Sequence, residues 1–400
     1  MNVSFFSFCE QFNECVIKDD EISIAQAYPS VSYLMTDQSD NTTRLYPQPI
    51  LKQFIKLESK PQWYKYDIIV QFNSDIDWYF ESNNTPITPT QCDLLRSMLH
   101  EITHGLGFMS SWSDDLYQKF KPYVDHLPPF LTPMLLDPPK ELNKMNYDID
   151  STKGHQPFWG FVEYPLDKYL TYETIHLTVI TNLLTTWGNS NILFKTIYDM
   201  INAWTTNNDL YLYAQSVYQG SITAKDVTLS LPNQPDLLIM ETSLNPFSPG
   251  STLSHVDYTH YHQSPDYLMT YTSSPGVAIS DLKHSATPFS PRLLHVLAAL
   301  GYCIHPSNQQ QKYITLRPNL DFWDPPTNMV GTTHNPSPSV IVVPNGPART
   351  PSPRISNSAT ISSASSISSK SASFYFIYHK HPISLMIYSF ILLIFINYLF

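Results

Sequence analysis

Two histidines and a glutamate within five residues form the clearest chemical pattern of the chain, His100-Glu-Ile-Thr-His104. The segment around them is rich in good helix formers, so a helix is expected there. His100 and His104 then project from one helical face with Cβ atoms about 5–6 Å apart, which allows both imidazoles to bind one metal ion. Glu101 lies beside them and can take a proton from a water molecule on that ion. The pattern therefore predicts a hydrolytic zinc site.

A catalytic zinc ion usually has three protein ligands and one open position, so a third ligand must come from elsewhere in the chain. The residue types leave several candidates open. His255, His260 and His262 lie in one short segment, and Asp257 stands among them. Glu163 is a further candidate, because another class of zinc site uses a downstream Glu. Spacing alone does not choose among these residues.

The segment from His100 to Phe108, HEITHGLGF, resembles the metzincin zinc peptidases, whose pattern has Gly three residues after the second His. The simplest form of that pattern places a third His at position 110, where this chain has Ser. The segments 254–257 (SHVD) and 264–271 (SPDYLMTY) are instead similar to the leishmanolysin-type branch. In that branch a large insertion separates the helix from the third His, which precedes a Met-containing turn.

The resemblance implies that His255 is the third zinc ligand and that Met269 forms an apolar floor under the metal. It implies Glu101 as the general base. Tyr271 is implied as a second catalytic residue, because a Tyr at this offset polarises the scissile carbonyl in some metzincins. The reaction expected from the resemblance is zinc-dependent cleavage of peptide bonds within a protein or peptide substrate.

The sequence also predicts the strand and the helix that must position these residues. The segment 66–74 (YDIIVQFNS) alternates and is rich in β-branched residues, so it predicts a strand before the helix. The helix is expected over about 91–104, with Thr90 as its cap, Asp93 at the third position of a capping box, and Gly105 and Gly107 at its end.

These expectations combine into a mixed α+β architecture. A metzincin-like zinc peptidase domain is expected over 1–325, with an insertion over about 111–250 and the third ligand and Met-turn over 254–271. A Pro/Ser/Thr-rich stalk is expected over 326–373. The segment 374–400 ends in 19 residues without Asp, Glu, Lys or Arg, about 28 Å long if helical.

That C-terminal segment has two open interpretations, a glycosylphosphatidylinositol attachment signal or a membrane anchor that stays in place. Both predict a cell-surface or secreted protein held at a membrane. The sequons at Asn2, Asn41 and Asn83 fit this location. The first residues, however, lack a basic n-region and a long apolar run, so either the start lies upstream or the secretory interpretation is wrong.

Composition excludes some classes of protein and leaves others open. The net charge is −11 and no basic run alternates with aromatics, so nucleic acid is not an expected partner.

Four cysteines allow two bridges in an oxidising compartment, and we expect Cys9–Cys15 and Cys92–Cys303, with four free thiols as the alternative. Two functional alternatives remain: a non-catalytic cell-surface binding or adhesion protein, and a purely structural zinc site closed by Asp257 or His260.

Overall fold

The computed structural model describes residues 1–12, 22–53, 63–81, 85–135, 156–157, 160–188, 193–194, 196–232, 234–235, 237–282, 287–304, 316–318 and 342–344. All of these belong to the first of two compact units, 1–350, and none to the second, 351–400. Most of the predicted stalk and the whole segment 374–400 therefore lie outside the described residues. Among the helices of the described ranges, none is long and apolar enough to cross a bilayer.

Helices and strands are mixed along the chain, which confirms the α+β class. The elements up to the histidine-bearing helix are β1 (Asn2–Phe6), α1 (Phe8–Phe12), β2 (Ala25–Pro29), β3 (Val31–Asp37), β4 (Thr42–Pro47), α2 (Gln48–Leu51), β5 (Ile68–Asn73), β6 (Trp78–Tyr79), β7 (Cys92–Asp93) and α3 (Leu94–Gly105). The sheet nearest α3 has the order β1-β5-β2, in which β1 is parallel and β2 antiparallel to β5. The strand predicted over 66–74 is thus its central strand.

The region between α3 and the third histidine carries elements of its own. They are α4 (Asp115–Phe120), β8 (Met134–Leu135), β9 (Gln156–Pro157), β10 (Phe161–Val162), β11 (Leu170–Tyr172), β12 (Ile175–His176), α5 (Leu177–Gly188), β13 (Leu193–Phe194), α6 (Ile197–Thr206), α7 (Asn208–Ser221), β14 (Val227–Leu229) and β15 (Leu238–Ile239). Four of these strands form an antiparallel sheet in the order β12-β11-β14-β15. Trp204 is fully buried, with the rings of Phe130, Phe161 and Trp187 5.2–5.8 Å away.

The remaining described elements follow the third histidine. They are α8 (Tyr258–Tyr261), a 3-10 turn (Tyr267–Met269), α9 (Ile279–Leu282), α10 (Pro291–Leu300), β16 (Leu316–Pro318) and β17 (Val342–Pro344). Strand β3 pairs with β4 on one side and with both β16 and β17 on the other. The segment Val342–Pro344 lies within the predicted stalk, and its backbone belongs to this sheet.

The helix α3 begins later than predicted. Cys92 and Asp93 form a short parallel pair with Trp78 and Tyr79, so the chain is still extended at the position expected for the first helical turn. Asp93 is the N-cap itself, and its side chain accepts a hydrogen bond from the Arg96 backbone at 2.9 Å. The capping box with Thr90 is therefore wrong, because pairing with β6 determines where the helix starts.

Two glycines let α3 end against the sheet and turn away. A Cβ atom at Gly105 would overlap the side chain of Ile68, so only glycine allows the helix to approach β5 this closely. Gly107 has a φ of 105°, a backbone conformation that favours glycine. The C-terminal half of α3, which carries His100 and His104, thus lies directly on the sheet.

The cysteines differ from expectation at one of the two predicted bridges. Cys9 is disulfide-bonded, and its partner lies outside the described residues. Cys92 and Cys303 both carry free thiols, so the predicted Cys92–Cys303 bridge is wrong. The physical reason is their placement: Cys92 is buried in β7 at the start of α3, whereas Cys303 is exposed after the end of α10.

Candidate metal centre

Three histidines converge on one point at the C-terminal half of α3. The Nε2 atoms of His100, His104 and His255 lie 3.1 Å from one another in every pair. His100 and His104 come from successive turns of the helix, and His255 arrives from 151 residues beyond His104. Of the three histidines in its segment, the structure thus brings His255 to the helical pair.

Each ring is oriented by a backbone carbonyl on its other nitrogen. The Nδ1 atom of His100 lies 2.6 Å from the Leu268 oxygen, and that of His104 lies 2.7 Å from the Phe108 oxygen. The Nδ1 atom of His255 lies 2.9 Å from the Ser251 oxygen. A carbonyl oxygen only accepts, so each Nδ1 carries the proton in the neutral ring. All three Nε2 atoms then present lone pairs to one another with no proton between them.

The donor set fits a zinc ion. The centre of the nitrogen triangle is about 1.8 Å from each corner, slightly less than the zinc–nitrogen bond of about 2.0–2.1 Å. His100, His104 and His255 would therefore hold a zinc ion through their Nε2 atoms. Within the described ranges, the group of metal-ligand side chains has these three members and no fourth.

Burial keeps the three rings in the neutral form that binds metals. Desolvation, reinforced by the nearby His104 ring, lowers the pKa of His100 to about 3. Desolvation also lowers the pKa of His104 to about 4. The pKa of His255 falls well below its usual value through burial and the two neighbouring imidazoles. The site is therefore free of protons that would compete with a cation at neutral pH.

Glu101 directly follows His100 in α3 and is the predicted general base. It is 6% exposed, and burial raises its pKa to about 8, an effect that a hydrogen bond from the backbone of Ala27 in β2 opposes. A carboxyl group with a pKa in this range can both accept and release a proton near neutral pH. The edge strand β2 thus contacts the helix at the residue expected to act as general base.

The segment that carries His255 is held by backbone hydrogen bonds on both sides. The Val256 N–H donates to the Met269 oxygen at 2.9 Å, and the Glu241 N–H donates to the His255 oxygen at 2.8 Å. Glu241 is fully buried, and its carboxylate accepts from the Tyr258 N–H at 2.9 Å. Met269 is 1% exposed and lies in the 3-10 turn at the predicted Met-turn position.

The other candidates for the third ligand lie elsewhere. His260 is exposed, and the Nδ1 atom of His262 lies 2.9 Å from the Tyr258 oxygen. The Asp257 carboxylate caps α8 by accepting from the His260 N–H at 2.7 Å. Glu163 is fully buried and pairs with Arg44 at 2.7 Å. Within the described residues, none of these groups joins the three histidines.

Tyr271 is half-buried near this segment. Its ring packs edge-on against Tyr258, with centroids 5.8 Å apart, and Tyr258 in turn stacks on His262 at 4.8 Å. The catalytic role of Tyr271 stays a prediction. Sequence reasoning missed the three carbonyls that orient the histidines, since a backbone oxygen leaves no residue-type signal.

The fold and the histidine triangle define a mixed α+β protein with a three-histidine candidate metal centre. The chain belongs to the SPBPB7E8-like family, whose sequence profile matches residues 1–343. Over 289 residues it is 25% identical to "Uncharacterized protein PB7E8.01" of Schizosaccharomyces pombe, an alignment that covers 67% of this chain and 48% of that protein. The chain thus spans about half the length of this relative. No solved structure matches the chain.

Proposed function

We propose that this protein is a zinc-dependent endopeptidase that acts at the cell surface. The observation that carries the proposal is the triangle of Nε2 atoms, all at 3.1 Å, formed by His100, His104 and His255. Three lone pairs facing one another are unfavourable unless a cation lies between them. Carbonyl groups on the opposite ring nitrogens are the usual outer-shell partners of metal-binding histidines.

An open, catalytic site is favoured over a closed, structural one. Structural zinc sites almost always have four protein ligands, whereas catalytic sites have three and keep one position for water or substrate. The group has three members in the part of the chain that the structure describes. Of the two possible closing ligands, Asp257 caps α8 and His260 is exposed. A water molecule is therefore the expected occupant of the fourth position.

The chemistry divides between the ion and Glu101. The three histidines would hold a zinc ion, whose chemistry when bound would be a water molecule with a pKa near about 7 and a polarised substrate carbonyl group. Glu101 would take a proton from the attacking water as the C–O bond forms, and would deliver it to the amine nitrogen when the C–N bond then breaks. Its raised pKa suits both steps. The peptide bond as substrate rests on the resemblance of residues 100–108 to the metzincins.

Two features support a location outside the cytoplasm. Cys9 is disulfide-bonded, and disulfides persist mainly in oxidising compartments. Asn41 of the second sequon is exposed in the turn between β3 and β4, where a glycan fits without repacking. The membrane attachment that we propose through 374–400 concerns residues outside the described ranges.

The test is zinc content and casein cleavage by the purified full-length chain and its Glu101→Gln variant. We expect about one zinc per chain in both proteins, because Glu101 is not a ligand. We expect cleavage by the native chain alone, blocked by a chelator and restored by zinc.

Two results would contradict the proposal. A zinc-loaded Glu101→Gln variant with native activity would exclude Glu101 as the base. A native chain that binds zinc and cleaves neither casein nor a peptide library would favour the non-catalytic binding protein instead.

A further inference from the structure

One short loop contacts the supports of two different histidines. The loop Phe108–Ser111 directly follows the end of α3, and its first carbonyl, that of Phe108, orients His104 at 2.7 Å. Two residues later, the Ser110 N–H donates to Oγ of Ser254 at 3.1 Å. Ser254 immediately precedes His255. The position of this loop therefore affects both the second and the third histidine.

A single buried carboxylate holds that loop. The Ser110 hydroxyl donates to Oδ1 of Asp167 at 2.6 Å, and the Ser111 N–H donates to Oδ2 at 3.0 Å. The Tyr164 N–H also donates to Oδ2, at 2.8 Å. Asp167 has no exposed surface, so its charge depends on these donors for solvation. The two donors from Ser110 and Ser111 thus fix the loop against this carboxylate.

Two ion pairs connect the segment around Asp167 to the β3–β4 hairpin. Glu163, four residues earlier, pairs with Arg44 of β4 at 2.7 Å, and both side chains are fully buried. Lys168, the next residue, pairs with Asp37 of β3 at 2.8 Å. The residues around Asp167 are thus anchored to the β3–β4 hairpin, and Asp167 alone of these charged residues is turned to the loop.

We propose that Asp167 is a positioning residue of the zinc centre, which holds loop 108–111 and through it sets the orientation of His104 and the placement of His255. The inference rests on the proposed function, because it assumes that the three histidines bind zinc. Asp167 lies in the insertion, 56 positions after Ser111, and is a residue of the second rank that supports the histidines through the loop.

A positioning role differs measurably from a merely structural one. A structural carboxylate would change the stability of the fold and leave the metal geometry of the folded chain unaltered. A positioning carboxylate changes zinc affinity and the ligand field at the metal. Replacement of zinc by cobalt(II) reports that field, since its visible absorption depends on coordination geometry.

The test compares Asp167→Ala with Lys168→Gln in the full-length chain. The Ala variant removes the acceptor of the Ser110 hydroxyl and of the Ser111 N–H, so the loop loses both of its bonds to this position. We expect its zinc dissociation constant, measured by chelator competition, to rise about 10–100-fold, with an altered cobalt(II) spectrum. Lys168→Gln breaks a neighbouring bond to the hairpin and should change the constant by less than about two-fold.

A second variant covers the case in which Asp167→Ala does not fold. Ser254→Ala removes only the acceptor of the Ser110 N–H, and we expect a several-fold rise in the zinc dissociation constant. Native zinc affinity and a native cobalt(II) spectrum in either folded variant would overturn the inference. If the native chain binds zinc and cleaves peptides while the variants match it, the inference alone fails. If the native chain binds no zinc, the proposed function fails and the inference with it.

Discussion

The main-chain oxygen of Leu268 lies 2.6 Å from Nδ1 of His100, although 168 residues separate the two. The next carbonyl along the chain, that of Met269, accepts from the Val256 N–H beside the third histidine at 2.9 Å. Two successive peptide groups of one 3-10 turn therefore support two proposed zinc ligands that come from distant parts of the sequence. Any change in the backbone of this turn should affect both of them.

The third ligand can be tested by comparing two histidines of the same segment. His255→Ala should weaken zinc binding by more than about 100-fold, because loss of a ligand costs more than loss of an outer-shell partner, which is worth about 10–100-fold. His262→Ala is the matched control and should retain native affinity, since the His262 ring stacks on Tyr258 and does not join the histidine group. Chelator competition measures both. Equal losses in the two variants would contradict the assignment of His255.

The start of α3 can be tested by a pair of cap variants. Asp93 is 2% exposed, and its two oxygens accept from the backbones of Arg96 at 2.9 Å and Ile279 at 2.7 Å. Asp93→Ala should reduce the free energy of unfolding by about 2–4 kcal/mol, because it removes a cap and leaves a buried N–H without a partner.

Thr90→Ala is the control, because Thr90 is exposed and bonds only weakly to the Thr88 hydroxyl at 3.4 Å. Its effect should stay below about 0.5 kcal/mol. Chemical denaturation of both variants measures the difference. A larger loss of unfolding free energy in Thr90→Ala than in Asp93→Ala would support the helix start predicted from the sequence.

The metal-free chain should be most stable near pH 6.5. Below that value the unfolded chain protonates histidines that the folded chain keeps neutral, because burial lowers the pKa of His100 to about 3 and of His104 to about 4. Stability is then lost as the pH falls, by up to about 1.4 kcal/mol per pH unit for each histidine. Partial exposure of these two rings reduces that figure.

On the alkaline side Glu101 acts in the opposite direction. Burial raises its pKa from 4.5 to about 8, so the folded chain holds a proton that the unfolded chain releases, and stability is lost as the pH rises towards 8. Thermal unfolding in the presence of a chelator measures how stability falls on both sides of pH 6.5, along the acid limb and along the alkaline limb of the curve. In His255→Asn the acid limb should become shallower. Stability that increases steadily down to pH 5 would show that the rings are not buried as described.

The free thiols can be counted by alkylation. Cys303 is exposed and should react in the native chain without reductant, whereas Cys92 is buried and should react only after unfolding. Burial also raises the pKa of the Cys92 thiol, which slows its reaction further. Mass spectrometry should find one added group before unfolding and two after it. No added group in either state would instead indicate the Cys92–Cys303 bridge.

Sequence patterns predicted the features that depend on residues close together in the chain. The i, i+4 spacing placed His100 and His104 on one face of a helix, and β-branched alternation located the central strand β5. The choice of His255 as the third proposed ligand depended on the resemblance, because nothing in the spacing separates His255 from His260. Contacts between distant segments explain the failures. The helix starts at Leu94 because β7 pairs with β6, and no local pattern signals that pairing.

Buried charges were the least predictable part of the site. Glu163 was considered a possible ligand on its residue type, yet it pairs with Arg44, 119 residues away. Asp167 carried no motif at all. Its role follows from donors in a loop 56 residues earlier, a relationship that exists only once both segments are folded. Residue type indicates that such a group needs a partner and does not indicate which one.

The pairing of strand β3 with C-terminal segments determines where a recombinant version of this protein should end. Val342–Pro344 pairs with Val31–Tyr33, and Leu316–Pro318 pairs with Met35–Asp37 on the same side. Termination of the chain at residue 325 would strip the first of these partners and leave unpaired peptide groups beside Val31. Unpaired strands of this kind recruit other copies and aggregate. An expression boundary after Pro344 avoids that hazard.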